Sequence, residues 1–296
     1  MLRRPRGPQI TLNRTLPLHS LSHSSTPHIS PYPVPMESLH QGYGFILYTH
    51  TSTGAHSGII HPGDRPRDRV LIYKNRARIG VLDSQYQHPP NISIDLKIGD
   101  ELALLVENLG RVDYYSRGNS YEDRLRQPEK GIVGNVTVGG GGGGQVLENW
   151  KVYTIPLKEL PSPSYSEDED VVTTSSEPRF YHGTFSTPKS YSSSPAALDT
   201  YLSLPSAVKG QVFVNGFNLG RYWTVGPQQS LYLPGTLLKE EEEGVNDVVV
   251  LELEPDRMNG MEMVGEGLGE RKWFNSVGIE MVGAEKKKPL MRMGIF

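Results

Sequence analysis

Residues Gly210 to Trp223, GQVFVNGFNLGRYW, constrain the fold more than any other stretch of the chain. Gln211 to Val214 is β-prone and runs into Asn215-Gly216. A type I′ turn needs positive φ at both central positions, and Asn followed by Gly supplies that at least steric cost. Beyond the turn, Phe217, Leu219 and Arg221 alternate with Asn218, Gly220 and Tyr222. The pattern predicts two antiparallel strands joined by a two-residue turn. Gly220, inside the second strand, predicts a bulge or a close backbone approach.

The rest of the chain reads the same way. Phe45 to Tyr48, Val70 to Tyr73 and Ala77 to Leu82 predict strands, and Ile92, Ile94 and Leu96 alternate with polar residues as a half-buried strand does. Leu102 to Val106 is almost wholly apolar, which predicts burial on both faces. Val136 and Val138 alternate again before six glycines, Gly139 to Gly144, which predict a flexible hairpin loop. The return strand is expected through Val146, Leu147, Trp150 and Val152. A second set follows at Phe180-Tyr181, Thr184-Phe185, Tyr201 to Leu204, the Asn-Gly hairpin, Leu231 to Leu233 and Asp247 to Glu254, the last a central strand. Pro234 to Lys239 predicts a single turn, and no long amphipathic helix is visible. With 32 Gly and 23 Pro punctuating these runs, the chain is all-β.

At 296 residues the chain suits one to three domains. Residues 1–34 are rich in Ser, Pro and His; the first thirty hold four Arg and no acid. That composition predicts a disordered segment or a transit-peptide-like leader, without the apolar core of a secretory signal. Residues 35–157 form the first β-domain and 158–177 a Ser-rich acidic linker. Residues 178–256 form the second β-domain, and 257–296 an extension that adds an edge strand through Trp273-Phe274 and Val277 to Val282. A formal net charge of −3 argues against a nucleic-acid partner. No apolar run approaches the roughly 18 residues of a membrane-crossing helix. There is no cysteine, so no disulfide and no thiolate metal site.

Several blocks, in order, resemble the non-catalytic half of family 35 glycoside hydrolases, the acid β-galactosidases. They are Gln41 to Tyr48 (QGYGFILY), Leu104 to Tyr114 (LLVENLGRVDY), Gly131 to Val138 (GIVGNVTV), Trp150 to Leu157 (WKVYTIPL), Phe180 to Phe185 (FYHGTF), the Asn-Gly hairpin, GPQQSLYLP from Gly226, and VVVLELE from Val248. The resemblance covers roughly residues 35–256. It implies two galactose-binding-like jelly-roll sandwiches in tandem, packed in the family against a (β/α)8 barrel. It also implies retaining hydrolysis of terminal β-galactosides, which uses two carboxyl groups about 5–5.5 Å apart. In the family both glutamates stand on barrel strands, the acid/base one directly after an Asn. This sequence has no Asn-Glu dipeptide and no alternating strand–helix pattern, and a barrel takes about 250 residues. No catalytic residue is therefore assigned. The family is secreted or lysosomal.

Candidate contact residues follow. Glu107 and Arg111 offer charged groups for sugar hydroxyls, or they brace a loop or the barrel interface. Tyr114 stands where an aromatic ring would reach a galactose pocket, or it is an interface tyrosine. Arg221, Tyr222 and Trp223 form a sugar-stacking platform or part of a core. His50, His56 and His61 lie near Asp64 and Asp68, but their spacing fits no metal-ligand motif, and they read as a solvated loop. Asn13, Asn91 and Asn135 begin sequons that carry glycans only in a secreted chain. No cofactor or metal is expected. Three functions compete: an inert β-domain portion of a β-galactosidase, an autonomous galactoside-binding module, and a partner for a separate barrel. The first predicts an uncovered apolar face near Tyr114.

Overall fold

A computed structural model describes residues 9–21, 26–84, 90–111, 113, 125–140, 144–158, 160, 175–187, 199–226, 229–240 and 243–272. Nineteen strands run through them. The first ten are β1 (Gln9–Thr11), β2 (Arg14–Pro17), β3 (His28–Ser30), β4 (Phe45–Thr51), β5 (His56–Pro62), β6 (Arg69–Lys74), β7 (Ala77–Asp83), β8 (Ser93–Leu96), β9 (Glu101–Glu107) and β10 (Val136–Gly139). The others are β11 (Gln145–Val146), β12 (Trp150–Ile155), β13 (Arg179–Phe185), β14 (Thr200–Ser203), β15 (Lys209–Val214), β16 (Phe217–Trp223), β17 (Leu231–Leu233), β18 (Asn246–Glu252) and β19 (Val264–Leu268). All the pairings are antiparallel.

The strands make two jelly-roll sandwiches. The first sets a six-stranded sheet, β3-β12-β4-β9-β6-β7, against a four-stranded one, β11-β10-β5-β8. The second sets a five-stranded sheet, β16-β15-β18-β13-β2, against a four-stranded one, β1-β19-β14-β17. Strand alternation assigns the cores. Ile46, Tyr48, Val70, Ile72, Leu104 and Val106 point into the first sandwich. Their neighbours Phe45, Leu47, Leu71, Tyr73, Ala103 and Leu105 point the other way and meet Phe180, Phe213, Val249, Leu251 and Leu253 from the five-stranded sheet. The opposite side of that sheet packs Tyr181, Val212, Val214, Val248 and Val250 into the second sandwich. Four sheets thus stack with three apolar layers between them. The middle layer fuses the two sandwiches, and it is why β6, β9, β15 and β18 carry apolar residues on both faces.

Several expectations are corrected. The segment 1–34, read as disordered, instead supplies three strands: β1 and β2 to the second sandwich and β3 to the first. Ile10, Leu12, Leu16 and Leu18 are buried there. Distant partners stabilise these short strands: β1 pairs with β19 and β2 with β13. The second sandwich is therefore discontinuous in sequence. The extension 257–296 contributes β19, which sits between β1 and β14 and not at an edge; Trp273 to Val282 lies outside the described residues. The return strand after the glycine loop ends at Val146, and Asn149, at φ 68°, turns the chain so that β12 joins the other sheet. The end of the linker is held down: Glu177 is buried against His19, with Nδ1 to Oε1 at 2.8 Å. The acidic stretch 161–174 lies outside the described residues.

Candidate functional site

The Asn-Gly hairpin delivers the most chemistry. Asn215 and Gly216 have φ of 49° and 80°, as the predicted turn requires. The register slips at Gly220, φ 130°, so that Val212 faces Gly220 and Phe213 faces Asn218. This bulge re-aims the end of β16. Arg221 and Trp223 then lie opposite Gln211 and Lys209, on the side of the sheet that faces the first sandwich.

There they join a buried ionic cluster. Glu107 closes the apolar strand β9, and its carboxylate meets Lys209 Nζ at 2.8 and 2.9 Å, both side chains at 1% exposure or less. Arg221 Nε lies 3.6 Å from Glu107, and Arg221 Nη2 donates to Asn108 O at 2.5 Å. Burial pulls the Lys209 ammonium below its usual range, while Glu107 opposes that shift. Lys209 Nζ sits 4.2 Å and Arg69 Cζ 5.2 Å from the Trp223 ring centre, in cation–π contact. Arg69 also bridges the sandwiches, donating to Asp83 at 3.0 Å and to Glu254. Glu254 further pairs with Arg78 at 3.2 Å and Arg257 at 2.8 Å. Burial would raise the Glu254 carboxyl, yet the charges of Arg69, Arg78 and Arg257 hold it below its usual range.

Beside β16 opens a cleft of about 240 Å³, lined by Leu204, Ala207, Tyr222, Trp223, Gln229 and Leu231 among others. Beneath it, Tyr222 Oη lies 2.9 Å from Leu251 O and 3.0 Å from Glu252 Oε2. Glu252 is fully buried and accepts backbone N–H bonds from Val208, Lys209 and Glu254 at 2.7, 3.2 and 2.8 Å. No ion pair reaches it among the described residues, and burial pushes its carboxyl up to about 7.

The predicted contact residues fall apart in space. Arg111 donates to Gly42 O at 2.8 Å and to Glu37, not to Glu107. It lines a separate small polar cavity with Arg65, Arg67, Asp68 and Lys130. Tyr114 and Tyr115 lie outside the described residues, and with them the apolar face expected near Tyr114. Trp223 stands at the seam with its ring against two cations. His56 and His61 are not on a solvated loop: both stand on β5, in the four-stranded sheet of the first sandwich. His50, on β4, has its Nδ1 2.8 Å from Glu148 O and packs 5.3 Å from Trp150. Sequence reasoning missed Lys209, Glu252 and the paired rings of Tyr201 and Tyr232. Only the adjacency of Lys209 to a β-prone run marked any of them.

Known proteins resemble the chain in two segments. Residues 33–157 match the family model described as the first all-beta domain of beta-galactosidase, and residues 178–246 match the model of its galactose-binding domain. A human protein, beta-galactosidase-1-like protein 2, is 35% identical over 79% of this chain and 34% of its own length. Mouse beta-galactosidase is 32% identical over 75% and 34%, and beta-galactosidase 1 of Dictyostelium discoideum 35% identical over 74% and 32%. The chain spans about a third of the length of these relatives. Among solved structures, a lectin from Pleurotus ostreatus in complex with GalNAc aligns over 88% of this chain and 79% of its own, at 13% identity and a TM-score of 0.24, too slight a likeness to bear on function.

Proposed function

The chain belongs to the β-galactosidase family, through two of its non-catalytic β-domains, and from that premise we propose that it acts as the structural part of such a protein and does not cleave galactosides alone. The observation that carries this reading is the commitment of two buried carboxylates two positions apart, Glu252 and Glu254. Retaining cleavage needs two carboxyl groups about 5–5.5 Å apart and open to the substrate. Glu252 and Glu254 are buried at 0% and 1% exposure. One is saturated by backbone donors, the other by three arginines. Glu254 joins the two sandwiches through Arg69 and Arg78, and Glu252 ties β18 to Val208 and Lys209 within the second.

The hydrolytic groups are then supplied by a barrel, on the same longer polypeptide or on a separate one. Arg111, and Tyr114 beyond it, are the proposed points where the first sandwich reaches a sugar held by that barrel. Incubating the purified chain with a chromogenic β-galactoside tests the proposal. We expect no release of chromophore above the uncatalysed rate, and turnover that survives repurification would overturn it. Co-purification with a barrel polypeptide separates the partner role from a free-standing one.

A second reading is that the chain also binds galactosides by itself. It is favoured by the match of residues 178–246 to a galactose-binding domain model. Calorimetric titration with millimolar galactoside checks it, and absence of heat counts against it.

A further inference from the structure

One buried charge in the second sandwich is not balanced by the residues around it. Arg179 opens β13 and is 1% exposed, yet its Nε, Nη1 and Nη2 all lack a hydrogen-bond partner among the described residues. Two positions on, Tyr181 points into the core of the second sandwich, while Phe180 between them points to the middle layer. Strand alternation therefore puts Arg179 on the same inner face as Tyr181. The Tyr181 hydroxyl is likewise buried and unpartnered. The two groups are close enough to act on each other: burial pushes the Tyr181 hydroxyl up to about 12, and the Arg179 charge works against that rise. Arginine keeps its charge inside a protein, and a buried cation without a counter-charge is costly.

The described neighbours do not supply the acceptor. Across the sheet, Arg179 stands between Pro17 and Glu252. Proline has no polar side chain. Glu252 already accepts from three backbone N–H groups and from the Tyr222 hydroxyl, which fills the roughly four lone-pair sites of a carboxylate. Burial pushes it up to about 7, so near pH 6 it carries little counter-charge. Glu177, two positions before Arg179, is engaged with His19. The core that Tyr181 joins is otherwise apolar, with Leu12, Met258 and Met263. A guanidinium fork and a hydroxyl thus share one enclosed face as donors, and an anion answers both the hydrogen-bonding and the charge. At 1% exposure neither group can meet a peptide or a sugar. An ion of a single atom suits such an enclosure, entering as the chain folds or through local opening.

We infer that Arg179 and Tyr181 form an anion site inside the second sandwich, which takes a halide such as chloride. The site does not depend on whether the chain binds galactosides. The test is thermal unfolding of the full chain near pH 6 at constant ionic strength, with chloride replacing gluconate, an anion too bulky to be enclosed. The midpoint should rise by a few degrees and saturate with chloride, the behaviour of a ligand held by the folded state alone. Arg179→Met should abolish the response. Tyr181→Phe keeps the ring and loses the hydroxyl, and should need severalfold more chloride for half the effect. Lys151→Met removes an exposed cation from β12 and should leave the response unchanged. Crystals of the parent grown in bromide should show an anomalous peak within hydrogen-bond reach of the Arg179 guanidinium. If Arg179→Met does not fold, Tyr181→Phe and the bromide peak decide. Equal midpoints in chloride and gluconate, a response that survives Arg179→Met, or a guanidinium bonded to water alone in bromide would each overturn the site.

Discussion

Replacing Glu252 by glutamine should remove most of the dependence of stability on pH between about 5 and 8. The carboxyl is enclosed, and burial raises it to about 7 from an ordinary value of 4.5. Between those two values the folded chain keeps a proton that the unfolded chain has released. Stability therefore falls as pH rises through this window and levels off above it. The difference of roughly 2.5 pH units, at about 1.36 kcal/mol each, amounts to about 3 kcal/mol. Burial outweighs the hydrogen bonds that the Val208, Lys209 and Glu254 N–H groups and the Tyr222 hydroxyl donate to this carboxyl, all of which favour its ionised form. Arg179, opposite Glu252 across β13 and β18, makes no ion pair with it. Glutamine keeps the shape and cannot ionise, but its amide faces donors that Glu252 accepts from, at a cost of about 1–3 kcal/mol that does not vary with pH. Urea unfolding of parent and variant at half-unit steps is the assay. The variant should be less stable at pH 5 and close to parity at pH 8. Glu254 and Glu177 act in the opposite direction: burial would raise both, but their cationic partners hold them low, and their contribution is lost as pH falls below about 4.5. Identical slopes for parent and variant between pH 5 and 8 would refute the assignment of this window to Glu252.

Lys209→Met alone should cost about 3–5 kcal/mol, because the buried Glu107 loses its closest cationic partner; adding Glu107→Leu should recover most of it in a urea double-mutant cycle. Deleting residues 1–18 removes four buried apolar side chains, Ile10, Leu12, Leu16 and Leu18. At about 1.5–3 kcal/mol each this approaches the stability of a whole domain, so the shortened chain should bind a hydrophobic dye and lose its cooperative thermal transition. Gly210→Ala should destabilise by more than about 2 kcal/mol, read as a lowered melting temperature, since its Cβ would strike Leu251 O and come within 2.7 Å of Tyr222 Oη.

Much of this was legible before any coordinates. The Asn-Gly turn and the bulge at Gly220 follow from the steric freedom of those residues, and the all-apolar run Leu102 to Val106 announced a strand covered on both sides. What hid the rest was distance along the chain. The strands β1 and β2 alternate over only a few residues, and their partners lie more than 160 positions away. Strand β5 was concealed by its own outward residues, Ser57 and His61, which read as a polar loop when only one face is buried. The Glu107–Lys209 pair joins residues 102 positions apart, beyond the reach of local pattern. Arg111 and Trp223 stand out in the sequence by residue type alone. Type alone does not reveal that one is tied to Glu37 and the other lies against two cations.

The stacking order limits where anything else can touch this protein. The six- and five-stranded sheets cover each other's outer faces over their central strands, but Ile29 and Lys151 leave the β3–β12 end of the six-stranded sheet open. The two four-stranded sheets also have outer faces. That of the first sandwich mixes the polar Ser57, His61, Ser93, Asp95 and Thr137 with two apolar residues, Ile59 and Val146, and has Asn91 and Asn135 exposed at the same end, on either side of β5. Such a surface gains little from dry contact, since few apolar atoms would leave water. The face of the second sandwich carries the Tyr201–Tyr232–Leu268 row and has apolar area to lose.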